Sequence, residues 1–555
     1  MFPPPGAPTP RRAPAGRTQV QSRTPVTQDP DILARRLETL RGAPSASAFA
    51  GNRIGIEKEA LRVSCEGRIA ATPHPPALGS ALTHPHITTD FSEALIELVT
   101  PALHDPLELL GFLADLHTEV YRHLGEELLW ATSMPCVLEG ARNIPLAVYG
   151  DSNAATMKTA YRRGLGNRYG RTMQVIAGVH FNFSFADAFW VLYQALEGDS
   201  SDPVHFRSES YMGMIRNLQR VGWLVPYLFG ASPAVCGSFV QGRETSLQPF
   251  DDHTLFYPHA TSLRMGDIGY QNRQEQGTGM KASYDSLDAY VRSLTWAIET
   301  PCPQYERIGV KVGDRYEQLN ANVLQIENEY YSTVRPKQIV DWMEKPTLAL
   351  RRRGVRYVEL RSLDVNAFEP LGVGAEQLGF LEVLMLYCLL VDSPRIGGSE
   401  RRAIDDNQVL AAHRGREPGL ALIRDGEPIT LVQWADEILD GMEPVAELLD
   451  GGSGGPRGES LALQRAKVRE PELTPSALML REMRESGGGF FDFAYRVSSA
   501  HRAVLRGRAL SPGRESLFAR LAAESRTRQA EIEAADDVDF DTFLARYFAQ
   551  GRAVA

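Results

Sequence analysis

Acidic residues stand in apolar surroundings at several places along this chain, at spacings that bring their carboxylates side by side. In IGIEKEALRV (54–63), Glu57 and Glu59 are two residues apart, so in a strand both project to one face. In HITTDFSEALIELVTP (86–101), Glu97 lies among Leu95, Ile96, Leu98 and Val99. In QVIAGVHFNFSF (174–185), Val179, Phe181, Phe183 and Phe185 alternate with His180, Asn182 and Ser184, which makes one side a packing face and turns the other towards something polar. VRYVELRSLD (355–364) repeats the theme with Tyr357, Glu359 and Arg361. Taken singly, each acid reads most simply as the solvent-facing residue of a one-sided antiparallel sheet, and His180 as a hydrogen-bonded structural histidine. Taken together, Glu57, Glu59, Glu97 and Glu359 would repel one another if brought close without cations. Carboxylate oxygens with a single imidazole suit Mg²⁺ or Mn²⁺, whereas Zn²⁺ would favour cysteines and several histidines at tight spacing.

Carboxylate-held cations commonly clamp a triphosphate, and such sites often carry a glycine-rich phosphate loop as well. None is present: there is no G-x-x-x-x-G-K-[ST], and GLGNRYG (164–170) follows a helix-like run rather than opening one after a strand. Gly150-Asp-Ser-Asn153 faintly suggests a hydrolase serine, but the chain has no G-x-S-x-G elbow. What remains is a sheet-based, multi-carboxylate metal site of the kind that holds ATP through bridging cations.

The elements that must position these residues are strands at 54–63 and 174–185, and one at 355–364. The run 86–101 is ambiguous between helix and strand, but its β-branched end and Pro101 favour a turn at Asp90 followed by a strand. Residues 1–28, rich in Pro, Ala, Arg and Thr, read as a disordered extension. Residues 29–400 alternate strand-like runs with amphipathic helices and carry all the chemistry, so they read as the catalytic core. Residues 401–555 are mainly helical after a charged connection, with a helix near 430–449, a flexible Gly-rich loop at 450–456, and an apolar stripe of Phe540, Phe543, Leu544 and Phe548.

The chain has 555 residues, ample for a deep cleft, and a formal charge of -10 with no basic block, which argues against nucleic acid as the main partner. Its five cysteines are scattered without metal-type spacing and read as reduced cytoplasmic thiols. The start lacks the apolar stretch of a secretory signal, and no segment reaches the roughly 20 apolar residues that span a bilayer.

These motifs resemble the proteobacterial type of glutamate–cysteine ligase, also called γ-glutamylcysteine synthetase. The likeness runs through RIGIEKEALRV (53–63), HITTDFSEALIELVTP (86–101), SMPC (133–136), YGDSNAATMKTAYRRGLGNRYG (149–170), GVHFNFSF (178–185), IRNLQRVGWLVPYLFGASPAVC (215–236), TSLRMGDIGYQN (261–272), NVLQIENEYYSTVRPK (322–337) and RGVRYVELRSLDVNAFEPLGV (353–373). It covers most of the span from about 50 to 400.

The resemblance implies an α+β fold: a curved, mainly antiparallel sheet forming a funnel, similar to the catalytic core of glutamine synthetase and flanked by helices. It implies that Glu57, Glu59, Asp90, Glu97, His180 and Glu359 bind magnesium. Tyr161, Leu165, Gln174, Arg264, Tyr270 and Tyr331 would line the cysteine pocket, with Arg264 clamping the substrate carboxylate. Arg361 would steady the transferring phosphoryl group of ATP. The implied reaction is ATP- and Mg²⁺-dependent joining of the glutamate γ-carboxylate to the cysteine amine through a γ-glutamyl phosphate, the first step of glutathione synthesis, in the cytoplasm and under feedback by glutathione. The rival readings are a related carboxylate–amine ligase with another acceptor amine, and a non-catalytic metal-binding relative. Cysteines of the chain, Cys136 included, read as packing residues.

Overall fold

The structure, a computed structural model, describes residues 31–42, 48–49, 51–135, 137–240, 244–269 and 280–551. The extension 1–28, Cys136 and Tyr270 lie outside the described residues.

The four segments singled out above become neighbouring strands of one sheet. Its strands are β1 (Arg53–Val63), β2 (Ile87–Thr89), β3 (Leu95–Val99), β4 (Leu128–Leu129), β5 (Val179–Ser184), β6 (Val334–Lys337) and β7 (Tyr357–Leu363). They lie in the order β6-β7-β5-β1-β3-β2, with β4 paired to one end of β1. Each of these pairings is antiparallel. The 86–101 run resolves as two strands around a turn, with Asp90 immediately after β2. Pro336, which cannot donate to a ladder, sits in the edge strand β6.

One face of the sheet is apolar. Ile54, Ile56, Phe181, Phe183, Val358 and Leu360 are all essentially buried, and each large side chain of this kind contributes about 1.5–3 kcal/mol by leaving water. Helices α1 (Pro106–His123) and α3 (Pro203–Val221) pack on this face. Asp105 caps α1 by accepting from the Leu107 backbone N–H, and Pro106 occupies the first helical position, where its missing N–H costs nothing. Between these two helices in sequence comes α2 (Asn153–Tyr169). A second layer is the apolar helix α4 (Ala375–Leu390), which lies against α1 and α3.

The expected charged connection after residue 400 is instead helix α5 (Gly398–Arg414), which spans the expected boundary. Charge alone misled the reading, because a helix with one buried edge carries its charges on the other. Helices α6 (Leu431–Asp450) and α7 (Pro456–Arg469) pack on α4, and the glycines between them form a tight connection that begins with Gly451 in the left-handed region at φ 72°. Helices α8 (Phe490–Gly507), α9 (Pro512–Ala534) and α10 (Phe540–Ala549) return to the front part of the chain. One hydrophobic core runs from Leu37 to Phe518.

Candidate active site

The polar face of the sheet forms the floor of a cavity of about 380 Å³, lined by Glu57, Glu59, Asp90, Glu97, His180, Glu359 and Arg361 on one side. Tyr161, Leu165, Gln174, Arg264 and Tyr331 line the rest, so every described residue proposed for the site from sequence opens on this one space.

Register explains the acidic end. Glu57 lies opposite His180, and Glu59 lies directly opposite Glu97. Like charges across a ladder destabilise a sheet, so this pairing has a structural cost. His180 Nδ1 is 3.0 Å from Glu57 Oε2, while Asn182 Nδ2 donates to Glu57 Oε1 at 3.0 Å. Glu59 accepts from the Gly178 N–H at 2.7 Å. Ligand atoms of Glu57, Glu97 and His180 all lie within 4.8 Å of one another. Burial, reinforced by the carboxylates of Glu57, Asp90 and Glu59, holds the Glu97 carboxyl well above the usual range. Glu59 is also pushed up, by burial first, with His180 partly opposing. For Glu57, burial pushes up, but the hydrogen bond from His180 brings the net result below the usual range. This crowded, oxygen-rich donor set with one imidazole fits a hard divalent cation.

Glu359 stands apart from the other acids. It faces cations: Arg361 Nη1 donates to Oε1 at 3.0 Å, Lys337 Nζ lies 3.4 Å from Oε2, and His180 is 3.7 Å away. Its burial is outweighed by Lys337 and Arg361, and its carboxyl is held well below the usual range. The expected mutual repulsion of the acids thus falls hardest on Glu97 and Glu59, while Glu359, although it still pushes against Glu57, is compensated by its own cations. Strand β7 shifts register against β5 between Leu360 and Leu363, and Arg361 falls in that irregularity, while its N–H continues the ladder on the other side by bonding Thr333 O. Such breaks re-aim side chains.

The far end is assembled from a helix and loops. Helix α2 presents Lys158, Tyr161, Arg162, Leu165 and Tyr169 to the cavity, at the spacings that share one helical face. Ser152 only caps this helix, accepting from Ala155 N at 3.2 Å, which disposes of the faint hydrolase signal. Arg264 crosses the start of β5, donating to Arg361 O at 2.8 Å. A Cβ at Gly178 would come within 2.2 Å of its guanidinium, so only glycine leaves it room. Arg264 also lies 3.8 Å from Asp364, which is itself held by Ala231 N, Ser232 Oγ and Ser262 Oγ. The Nε atoms of Arg264, Arg335 and Arg361 are buried with no hydrogen-bond partner, leaving donor capacity for a ligand.

The sequence reading missed Lys337 and Arg335, both on the cavity. Their alternation in VRPK was a usable signal, masked by Pro336, which argued against a strand. Lys158 and Arg162 carried the helical spacing but no chemical pattern of their own.

The family model for glutamate–cysteine ligase matches residues 37–410. The chain belongs to the glutamate–cysteine ligase family. A glutamate–cysteine ligase of Alcanivorax borkumensis is 49% identical over 526 residues, covering 93% of this chain and 99% of that protein. One of Pseudomonas paraeruginosa is 46% identical, covering 93% and 98%. The crystal structure of glutamate–cysteine ligase from Francisella tularensis in complex with AMP superposes with a TM-score of 0.84 at 34% identity, covering 90% of this chain and 98% of that one. A bifunctional glutathione synthetase from Pasteurella multocida shares the fold, with a TM-score of 0.69 at 23% identity, over 88% of this chain and 58% of that one. The antiparallel sheet flanked by helices is thus the family architecture. Among the described residues, no helix is long and apolar enough to cross a membrane.

Proposed function

We propose that this protein uses ATP to join the γ-carboxylate of glutamate to the amino group of cysteine. The observation that carries the reading is the division of one cavity into a crowded carboxylate end and a cationic end, in a chain of this family. A divalent cation held by Glu57, Glu97 and His180, with Glu59, Asp90 and Glu359 around it, would offset triphosphate charge and polarise the bond to the transferred phosphoryl group.

The residues of the chain divide the remaining work. A γ-carboxylate is a poor acylating agent, so it first takes the terminal phosphoryl group of ATP and becomes an acyl phosphate. Arg361, anchored by Glu359, is the cation placed to balance charge that builds on that group. Lys337 neutralises the other oxygen of Glu359, which leaves the remaining donors of Arg361 for substrate. Arg264, with an unspent buried Nε and a backbone anchor, is suited to the cysteine carboxylate, while Tyr161, Leu165, Gln174 and Tyr331 shape the space around it. The amine then attacks the activated carbonyl and expels phosphate, a step dominated by orientation. Tyr270 keeps its proposed place in this pocket on the family resemblance alone.

Location in the cytoplasm and feedback inhibition by glutathione belong to the same proposal; Cys65, Cys236, Cys302 and Cys388 are all free thiols, in keeping with the first. The test is a coupled assay of ADP release with each substrate omitted in turn. Release that requires Mg²⁺, glutamate and cysteine, and that fails with alanine or glycine in place of cysteine, supports the reading. Release with another amine but not cysteine would hand the site to a different acceptor, and no release under any condition would leave a metal-binding relative.

A further inference from the structure

Helix α2 supplies the cavity with Tyr161 and Leu165; its C-terminal half is bonded to the 316–329 loop, whereas its N-terminal end and back are held from outside the cavity by the last stretch of the chain. At its N-terminal end, Asp151 N donates to Glu533 Oε1 at 3.2 Å and Asn153 N to Asp536 Oδ2 at 2.5 Å. One carboxylate thus satisfies the backbone donor of the first helical residue and the other that of Asp151, just before the Ser152 cap, where the helix dipole also favours negative charge. Asn153 Nδ2 adds a bond to Val538 O at 2.9 Å. Gly150, at φ 104°, lets the end of α9 approach, since a Cβ there would come within 2.2 Å of Gln529 Nε2.

Along its back, α2 packs against α10. Met157 and Ala160 share a small buried cluster with Leu544 and Tyr547, and Tyr161 packs against that cluster while also lining the cavity. The expected stripe of Phe540, Phe543, Leu544 and Phe548 is therefore the face that grips α2. Both ends of α10 are tied to the chain that carries Tyr331: Asp541 bonds Tyr316 and Lys311, and Lys345 Nζ donates to Phe548 O at 2.9 Å and Gln550 O at 3.3 Å. No residue of α9 or α10 lines the cavity.

We infer that residues 533–550 are a clamp whose function is to position α2, and through Tyr161 and Leu165 to set the affinity for the acceptor amino acid. The inference rests on the assignment of those two residues to the cysteine pocket. The clamp residues are positioning residues; none touches substrate.

The experiment measures steady-state constants for ATP, glutamate and cysteine in Asp536→Ala, Asp536→Asn, Leu544→Ala and, as reference inside the cavity, Leu165→Ala. Asp536→Ala removes one bond at an exposed side chain, so it remains readable if Leu544→Ala folds poorly. The expected result is a rise in KM for cysteine of about five- to tenfold in Asp536→Ala, in line with the loss of a charge-assisted bond, with kcat and the other two KM values changed less than about twofold. Asp536→Asn, which can still accept from Asn153 N, should recover most of the loss. Unchanged constants, or a parallel loss in kcat and all three KM values, would overturn the clamp. If Leu165→Ala raises the KM of a different substrate, the acceptor assignment fails; the clamp then stands only where its variants raise that same constant, and falls where they do not.

Discussion

The two ends of the cavity are held by different means. At the acidic end, side chains come from adjacent strands, and ladder hydrogen bonds on both sides fix each backbone: Glu57 against His180, Glu59 against Glu97, Glu359 against Asn182. At the acceptor end, side chains come from a helix and loops, and single side-chain bonds do the holding. Arg168 and Glu329 form a fully buried ion pair at 2.9 Å, Tyr169 donates to the same carboxylate at 2.6 Å, and Gln325 Nε2 reaches Tyr161 O at 3.3 Å. Gly164 is required where Gln325 meets α2, because a Cβ would come within 2.1 Å of it. A ladder tolerates loss of one side chain without moving; a set of single bonds does not. Chemistry at Glu57 and Glu97 should therefore be separable from stability, and affinity at the acceptor end should depend on residues that never touch substrate.

The largest effects test the acidic end. Glu57→Ala and Glu97→Ala are expected to lower turnover on the order of a thousandfold, the scale of losing several kcal/mol of charge stabilisation, while the purified proteins keep their circular dichroism and cooperative unfolding. Glu359→Ala should lose turnover as severely but also stability, by about 1–3 kcal/mol, because it leaves the half-buried cations of Lys337 and Arg361 without the carboxylate they share. Urea unfolding of the three variants decides this. A Glu97→Ala protein as unstable as Glu359→Ala would mean that the acids are structural.

Next come the two arginines that bridge the ends. Arg361→Ala should lower kcat at saturating substrates by roughly a hundred- to a thousandfold, as removal of a donor aimed at transition-state charge does elsewhere. Arg264→Ala should instead raise KM for cysteine roughly ten- to a hundredfold, leaving those for ATP and glutamate much less affected. Arg264→Lys should recover only part, since an ammonium cannot reproduce bidentate geometry. Equal effects of Arg264→Ala on all three KM values would refute its assignment to the acceptor.

The same division governs how much was legible in the sequence. Strand alternation, with period two, put Glu57 with Glu59 and His180 with Asn182 on one face from the residues alone, because ladders carry that periodicity unchanged into the fold. Glu359 was placed correctly but its partners were not, since Lys337 comes from a strand that Pro336 disguised. Tyr161, Leu165, Gln174, Arg264 and Tyr331 could be named only through family resemblance: their meeting depends on tertiary packing of α2 against loops 150 or more residues away in sequence. The terminal helices were legible as helices, and α10's apolar stripe as a packing face, but not what they pack on. Pattern gives an amphipathic helix its face without giving it a partner.

The smallest effect expected is a pH dependence of cation-linked stability, and it sharpens the contrast within the acidic end. Unfolded, Glu97 titrates in the ordinary carboxylate range, near 4.3; folded, burial and its neighbouring carboxylates raise it well above that range. A carboxyl with a raised folded pKa contributes stability that is complete below the unfolded value and is lost as pH climbs through the folded value. Glu59 shifts the same way, whereas Glu57 and Glu359, held below the usual range, contribute stability above it that is lost on acidification. In the cation-free protein, then, raising pH ionises Glu97 and Glu59 against Glu57 and weakens the fold, and a divalent cation takes over from the protons. The rise in thermal midpoint on adding Mg²⁺ should grow between pH 6 and pH 8, and calorimetry in buffers of different ionisation enthalpy should detect proton release on binding. Glu97→Gln should raise the cation-free midpoint at pH 8 by about 2 °C and flatten the pH dependence of the Mg²⁺ effect. A wild-type Mg²⁺ shift equal at both pH values would sink the idea that these carboxylates share protons when no cation is bound.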